Sequence, residues 1–510
     1  MRMRKLRKKD KKDNRRQEDF QPRQGYAHPE PQDIPAKGRK KKKRSGNREF
    51  TIISYFFVAI FVSLIGYLAY FNVFRSEDFI NSPYNTRQDT FADRVIRGEI
   101  LSADGEVLAR TDVDGEGNET RVYPYANIFA HVVGYASQGK SGLESEANFQ
   151  LLSSHTFFLE QLKNQFQGQK NQGDNVITTL NTTLQQTAYS ALGDRRGAIV
   201  VLEPSTGKIL AMVVKPDFDP NTIDADWESL INDPNDSRLL NRAVMGQYPP
   251  GSVFKVVDAL AYYRKNGTLQ NFSYLCQGSI TMDGHTIPCY GGTVHGQEDF
   301  SSAFANSCNC AFVQIGLDMG GNSLRDASED LLFNRKLPLT MSYKKSTFSL
   351  TDDSGVPLTM QTAIGQGNIL VSPMHMALIT SAIANQGVLM KPYLIDHVEN
   401  SDGEEISSNT AQAYRTLMSN KEANLLSDLM TGVVTSGTAS ALSGRSYTVA
   451  GKTGSAEYNE AGDSHSWFIG YSNVADPDIA VSIVVEGGGT GSEAAVPIAG
   501  EIFDAYYYNQ

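Results

Sequence analysis

Tyr248-Pro-Pro-Gly-Ser-Val-Phe-Lys255 is the stretch on which the reading of this chain turns. The Pro-Pro-Gly break stops the preceding element, and an apolar helical pattern follows from Ser252 to Tyr263. A serine at a helix start with a lysine three positions on puts both side chains on one face. The lysine can take the hydroxyl proton, while the helix dipole favours the negative charge that develops. Ser-x-x-Lys also occurs at Ser137/Lys140, Ser205/Lys208 and Ser342/Lys345. Of these, Ser205 falls in a hairpin turn and Gln-Gly separates Ser137 from Lys140, which opposes a helix. The plain alternative for Ser252 is an N-cap serine beside a solvated lysine.

Two patterns downstream add to it. Ser307-Cys-Asn309 offers a hydroxyl to relay a proton and an amide to bond both a lysine and a substrate carbonyl; its plain reading is a polar turn, and Ser407/Asn409 repeats the spacing. Lys452-Thr-Gly454 occurs once, inside Val449-Ala-Gly-Lys-Thr-Gly-Ser-Ala-Glu457. Glycines around it suit a strand that a substrate backbone approaches closely. Lys452, Thr453 and Ser455 suit recognition of a carboxylate. A phosphate-binding loop needs a glycine five positions before the lysine, where Tyr447 stands.

Working outward, Gly197–Leu202 and Lys208–Val214 read as a β-hairpin around Glu-Pro-Ser-Thr-Gly207. Thr182 to Leu192 has helical spacing, and Ser466–Tyr471 and Ile479–Val485 read as strands. Sheet at both ends with helices between predicts one α/β domain over 185–510. Residues 76–172 form a mixed module before it, and Gly168–Asn175 reads as a polar linker.

Between Glu49 and Arg75 lie 25 uncharged residues, 50–74, which as a helix span about 37 Å and are long enough for a membrane. The alternative of a buried core helix has no similar run elsewhere to support it. The whole chain of 510 residues has a net charge of −10, but residues 1–50 carry 19 Lys/Arg against 7 Asp/Glu. The basic tail, 1–49 with its run at 40–44, is expected to stay cytoplasmic and to face the anionic inner leaflet of the cytoplasmic membrane. The rest, an acidic body, is expected outside, and its charge argues against nucleic acid as a partner. Four cysteines exclude a scaffold built from disulfides.

The order Ser-x-x-Lys, Ser-x-Asn, Lys-Thr-Gly resembles that of penicillin-binding proteins and class A β-lactamases. Arg97 to Ala109, Val133-Gly-Tyr135 and Ser141-Gly-Leu-Glu144 resemble the N-terminal module of class B penicillin-binding proteins. Asn241-Arg-Ala243, Gly365-Gln-Gly367 and His465-Ser-Trp-Phe468 resemble flanks of their transpeptidase domain. One departure is Ser102-Ala103, where the family often has Asp-Arg. The resemblance implies an α/β (α+β) transpeptidase domain, an antiparallel sheet flanked by helices with an all-helical subdomain, standing on a mixed pedestal that resembles a dimerisation module.

It also implies the chemistry. Ser252 is the nucleophile toward peptidoglycan stem peptides ending in D-Ala-D-Ala, Lys255 the base, Ser307 a proton relay and Asn309 an orienting group. Lys452 and Thr453, with Gly454 and Ser455 beside them, hold the terminal carboxylate. Backbone N–H groups of Ser252 and Ser455 form the oxyanion hole. Penicillin and other β-lactams are expected to acylate Ser252, with no cofactor for the chemistry. A β-lactamase needs a carboxylate in a Glu-x-x-Leu-Asn pattern, and the nearest string, Glu329 to Asn334, has its asparagine one place too far. Some 110 residues between membrane and transpeptidase are too few for a glycosyltransferase domain, so a membrane-embedded glycan polymerase is the expected partner. A membrane-anchored D,D-carboxypeptidase and a β-lactam-binding scaffold or receptor are rival readings of the same motifs.

Cys276, Cys289 and Cys308 frame His295, with Cys310 left over. Three readings stay open: a Cys276–Cys289 disulfide, buried thiols, or a structural zinc site of Cys₃His type. Some elongation-type class B proteins are similar in carrying zinc just before this motif, with Asp where this chain has Cys276 and Cys289.

Overall fold

The computed structural model describes residues 48–74, 94–459 and 462–508. The basic run at 40–44 and the expected start of the outer module, 76–93, lie outside the described residues. Arg48–Phe74 form one helix, α1. Its stretch Phe50–Phe71 has a mean hydropathy of 2.3 and large exposed side chains such as Phe56 and Leu64. A helix that is apolar all round needs an apolar surrounding, and this one is long enough to cross a membrane.

The second body carries two large sheets. The first has six strands in the order Glu405–Ser408, Ile395–Glu399, Asn175–Thr178, Ile100–Leu101, Val107–Val113, Glu119–Val122. Residues 168–175 are therefore no linker. Asn171–Gln172 pairs with Val95–Ile96, and Asn175–Thr178 lies between Ile100–Leu101 and Ile395–Glu399. The polar composition misleads because neighbouring strands supply partners for its backbone, and buried Asp174 and Val176 tie its end into the core. A hairpin from far down the chain, 395–408, thus completes the first module's sheet.

That module is held by a buried ion cluster. Glu144 accepts from Arg97 Nε at 2.6 Å and from Arg121 Nε at 2.7 Å, and Arg97 Nη1 donates to Asn148 Oδ1 at 2.5 Å. Burial alone would raise the Glu144 carboxyl, but the two guanidiniums hold it below its ordinary value. Glu144→Gln leaves two buried cations without a counter-charge, and the expected loss is about 3–5 kcal/mol in denaturant unfolding. A loss under about 1 kcal/mol would show the cluster to be hydrated.

The second sheet is antiparallel. Its strands are β1 (Gly197–Leu202), β2 (Ile209–Lys215), β3 (Val449–Glu457), β4 (Ser464–Ser472) and β5 (Ile479–Val485), ordered β3-β4-β5-β1-β2. β1 and β5 are buried at every position, because helices cover both faces. Thr182–Leu192 and Val496–Tyr508 pack together on one side, Pro373–Ala384 and Asn420–Ser436 on the other. β3 closes one end of the sheet, so among the described residues no strand pairs with its outer edge.

Between β2 and β3 comes a helical subdomain that includes α2 (Lys255–Asn266) and α3 (Asn309–Met319). It contains four short strands that were not legible in the sequence. Ser273–Cys276 pairs with Gly296–Asp299, and Ser279–Met282 with His285–Pro288. These strands are largely exposed, so little apolar alternation marks them.

Candidate active site

Ser252 lies in a 3₁₀ turn, Gly251–Phe254, that runs into α2 at Lys255. In a 3₁₀ turn residues three apart eclipse, so Ser252 and Lys255 share one side. Pro250 occupies the cap position and no side chain caps the turn, which removes the N-cap reading of Ser252. Gly251 has φ +55°, and a Cβ there would stand 2.4 Å from Ser455 O. Only glycine lets the nucleophile turn lie this close to β3. Behind it, Trp467 Nε1 donates to Pro249 O at 3.1 Å. Tyr248 Oη and Arg242 Nε each donate to Glu486 Oε1 at 2.7 Å. The motif flanks at 241–243 and 465–468 therefore clamp the segment that presents Ser252.

Lys255 is fully buried, and its Nζ donates to Ser307 O at 2.7 Å, Asn309 Oδ1 at 2.9 Å and Ser307 Oγ at 3.3 Å. Burial pulls this amine down to about 8. Lys452, also fully buried, donates to Ser307 Oγ at 2.9 Å and to Thr453 O at 3.1 Å. Burial first, then the charge of Lys255, holds it well below its ordinary value. Ser307 has φ +57°, a sparsely populated conformation that sets its hydroxyl between the two amines. Ser252 Oγ has no hydrogen-bond partner among the described residues and opens on a cleft of about 1100 Å³.

The arrangement departs from expectation at Lys452. Its ammonium lies beneath Ser307 and does not line the cleft, while Thr453, Gly454 and Ser455 do. The polar neighbour of Thr453 is Thr438, whose Oγ1 lies 2.5 Å from Thr453 Oγ1. Thr438 was missed, for it sits past a helix end that carries no distinguishing pattern. Asn309 is placed as expected toward Lys255, but its Nδ2 donates to Pro288 O at 3.1 Å. Glu329 lies away from the cleft and pairs with Arg335 at 3.2 Å.

The cysteine expectation converges on one point. Ligand atoms of Cys276, Cys289, His295 and Cys308 all lie within 4.8 Å of one another. Cys276 Sγ is 3.7 Å from Cys289 Sγ and 3.5 Å from His295 Nδ1, and Cys289 Sγ is 3.8 Å from Cys308 Sγ. All four cysteines are free thiols, so the Cys276–Cys289 disulfide is not formed. Cys310 Sγ also stands 3.4 Å from Cys289 Sγ.

A serine in the turn that opens a helix, one turn from a buried lysine and close to a strand edge, suits acyl transfer through a covalent serine ester. That chemistry and this sheet place the protein in the active-serine class of penicillin-binding enzymes. The model of the penicillin-binding protein transpeptidase domain matches residues 197–504, and that of the penicillin-binding protein A dimerisation domain matches residues 97–176. The chain is 35% identical over 436 residues to the peptidoglycan D,D-transpeptidase PbpA of Mycolicibacterium smegmatis, covering 79% of this chain and 87% of that protein. To PbpA of Mycobacterium tuberculosis it is 33% identical, covering 90% of this chain and 99% of the other. The structure of penicillin-binding protein A from M. tuberculosis as a ceftriaxone acyl-enzyme superposes with a TM-score of 0.75 at 31% identity, over 82% of this chain and 100% of that one. The chain belongs to the penicillin-binding protein transpeptidase family, as a class B member.

Proposed function

We propose that the protein cross-links peptidoglycan by D,D-transpeptidation with Ser252 as nucleophile. The observation that carries the residue assignment is the pair of buried lysines meeting at Ser307 Oγ beside the Ser252 turn. Ser252 Oγ attacks the penultimate D-Ala carbonyl of a stem peptide, and Lys255 in its neutral form takes the proton. Ser307, between the amines, passes a proton to the departing amine of the terminal D-Ala. An amine of a second strand then attacks the ester and frees Ser252. Asn309 orients Lys255, and Thr453 with Thr438 offers hydroxyls to the terminal carboxylate. Ser455 N–H lies on the unpaired edge of β3 and with Ser252 N–H forms the oxyanion hole, where one donor is worth roughly 10²–10³ in rate.

Given strands with pentapeptide stems, the purified protein should release one D-Ala for each cross-link formed. Release without cross-links identifies a carboxypeptidase, and fast penicillin turnover a β-lactamase. The organisation we propose is a cytoplasmic tail over 1–49, a membrane anchor over 50–74, a pedestal over 76–172 and the transpeptidase domain over 185–510. The family matches over 97–176 and 197–504 support the last two of these. The catalytic domain then acts outside the cytoplasmic membrane beside a membrane-embedded glycan polymerase. β-Lactams acylate Ser252 by resembling D-Ala-D-Ala.

The thiol cluster supports a structural zinc site. Tetrahedral zinc with bonds near 2.1–2.3 Å separates its ligand atoms by roughly 3.5–3.8 Å; the Cys276–Cys289, Cys276–His295 and Cys289–Cys308 pairs stand at 3.5–3.8 Å, and all four ligand atoms lie within 4.8 Å of one another. Cys276, Cys289, His295 and Cys308 would hold the ion, which would brace the Ser307–Asn309 loop and supply no chemistry. Protein purified without chelator should carry one zinc per chain, and Cys289→Ser should lose it. Metal-free protein with full penicillin binding would refute the site.

A further inference from the structure

We propose that Gln366 ends the donor-binding edge of β3, so that a donor peptide pairs with the strand at Ser455 and leaves it before Glu457. This rests on the transpeptidase reading above. Among the described residues β3 pairs with β4 on one side only, and an unpaired edge presents open N–H and C=O groups. The side-chain amide of Gln366 carries a planar acceptor and donor, as a peptide unit does. Oriented to satisfy its neighbours, it accepts from Glu457 N–H at 2.8 Å and donates to Glu457 O at 3.2 Å. Those two bonds are the ones an added strand would make. Backbone groups alternate along a strand, so Thr453 and Ser455 present theirs on the same edge as Glu457.

The amide is held in place from behind. Gly365 has φ +74°, and a Cβ there would stand 2.0 Å from Gly251 O. Gly251 N–H donates to Gly365 O at 2.9 Å, and Gln366 N–H to Gln361 O at 2.9 Å. The turn that carries Gln366 is therefore locked to the turn that carries Ser252. Both Gln366 and Glu457 line the cleft. A donor seated at Ser455 meets a filled pairing position two residues on, and the rest of its stem must turn out into the cleft.

The test compares two donors on the full-length protein. One is an N-acyl-D-alanyl thioester, which ends before the filled position; the other is a stem pentapeptide, which reaches it. The variants are Gln366→Ala, which empties the position, and Gln366→Asn, whose amide is too short to reach it. Thermal unfolding reports whether each variant folds, and Gln366→Asn stands in if Gln366→Ala does not. Both should shift the ratio of kcat/KM for the two donors by roughly tenfold, the worth of two exchanged hydrogen bonds, through a lower KM for the long donor. A ratio within twofold of the parent in both variants, or parallel changes for both donors, overturns the proposal. A parent protein that turns over neither donor refutes the transpeptidase reading itself.

Discussion

Ser252→Ala is expected to abolish covalent labelling by a fluorescent penicillin and to lower D-Ala release by about 10⁶, the usual scale for removing a serine nucleophile. The loss should be chemical and not structural. Ser252 Oγ has no hydrogen-bond partner among the described residues, and its turn is held by Gly251 and the residues behind it. Removing such a hydroxyl should leave the unfolding temperature nearly unchanged, within the roughly ±0.5 kcal/mol usual away from packed or bonded features. Mass spectrometry of the acylated parent protein should place the adduct on the peptide that contains Ser252. Labelling that persists in the alanine variant would falsify the assignment, whatever the family.

The catalytic residues were legible because acyl transfer requires particular residue types at fixed local spacings. Ser252 and Lys255 sit one turn apart, Ser307 and Asn309 flank one helix start, and Lys452 to Ser455 follow one strand. Such patterns survive in one dimension. The apolar strands β1, β2 and β5 were equally plain, since burial on both faces demands unbroken apolar runs. What stayed hidden depends on contacts distant in sequence. Asn175–Thr178 lies between Ile100–Leu101 and Ile395–Glu399, and the polar residues 168–175 that lead into it gave no sign of those distant partners. Lys452 reads as a ligand for a carboxylate from its neighbours, but its burial under Ser307 depends on a residue 145 positions away in the chain. The cysteine cluster joins Cys276, on a short strand, to Cys308 at a helix cap, and its 12-residue spacings show only that a meeting was possible.

The rate of acylation by a β-lactam that does not itself ionise should rise with pH up to about 8 and then level. Lys255 must be neutral to take the Ser252 proton, and burial brings its amine down to about 8. Below that value each pH unit removes about nine-tenths of the neutral form, so the rate at pH 6 should be roughly a hundredth of the plateau. The same shift fixes the sign of the stability change. In the unfolded chain the amine titrates near 10.5, so between about pH 8 and 10.5 the unfolded state binds more protons than the folded one. This group therefore makes the protein more stable as pH rises through that window, and its burial penalty is complete below it. Lys255→Met separates the two effects: it should cost most of the rate at every pH and erase the rising limb, yet remove the penalty of burying a cation. Stopped-flow acylation between pH 6 and 9 on both proteins decides the matter. A flat profile in the parent, or a limb that survives in Lys255→Met, moves the base from Lys255 to another group, for which Lys452 through Ser307 is the nearest candidate.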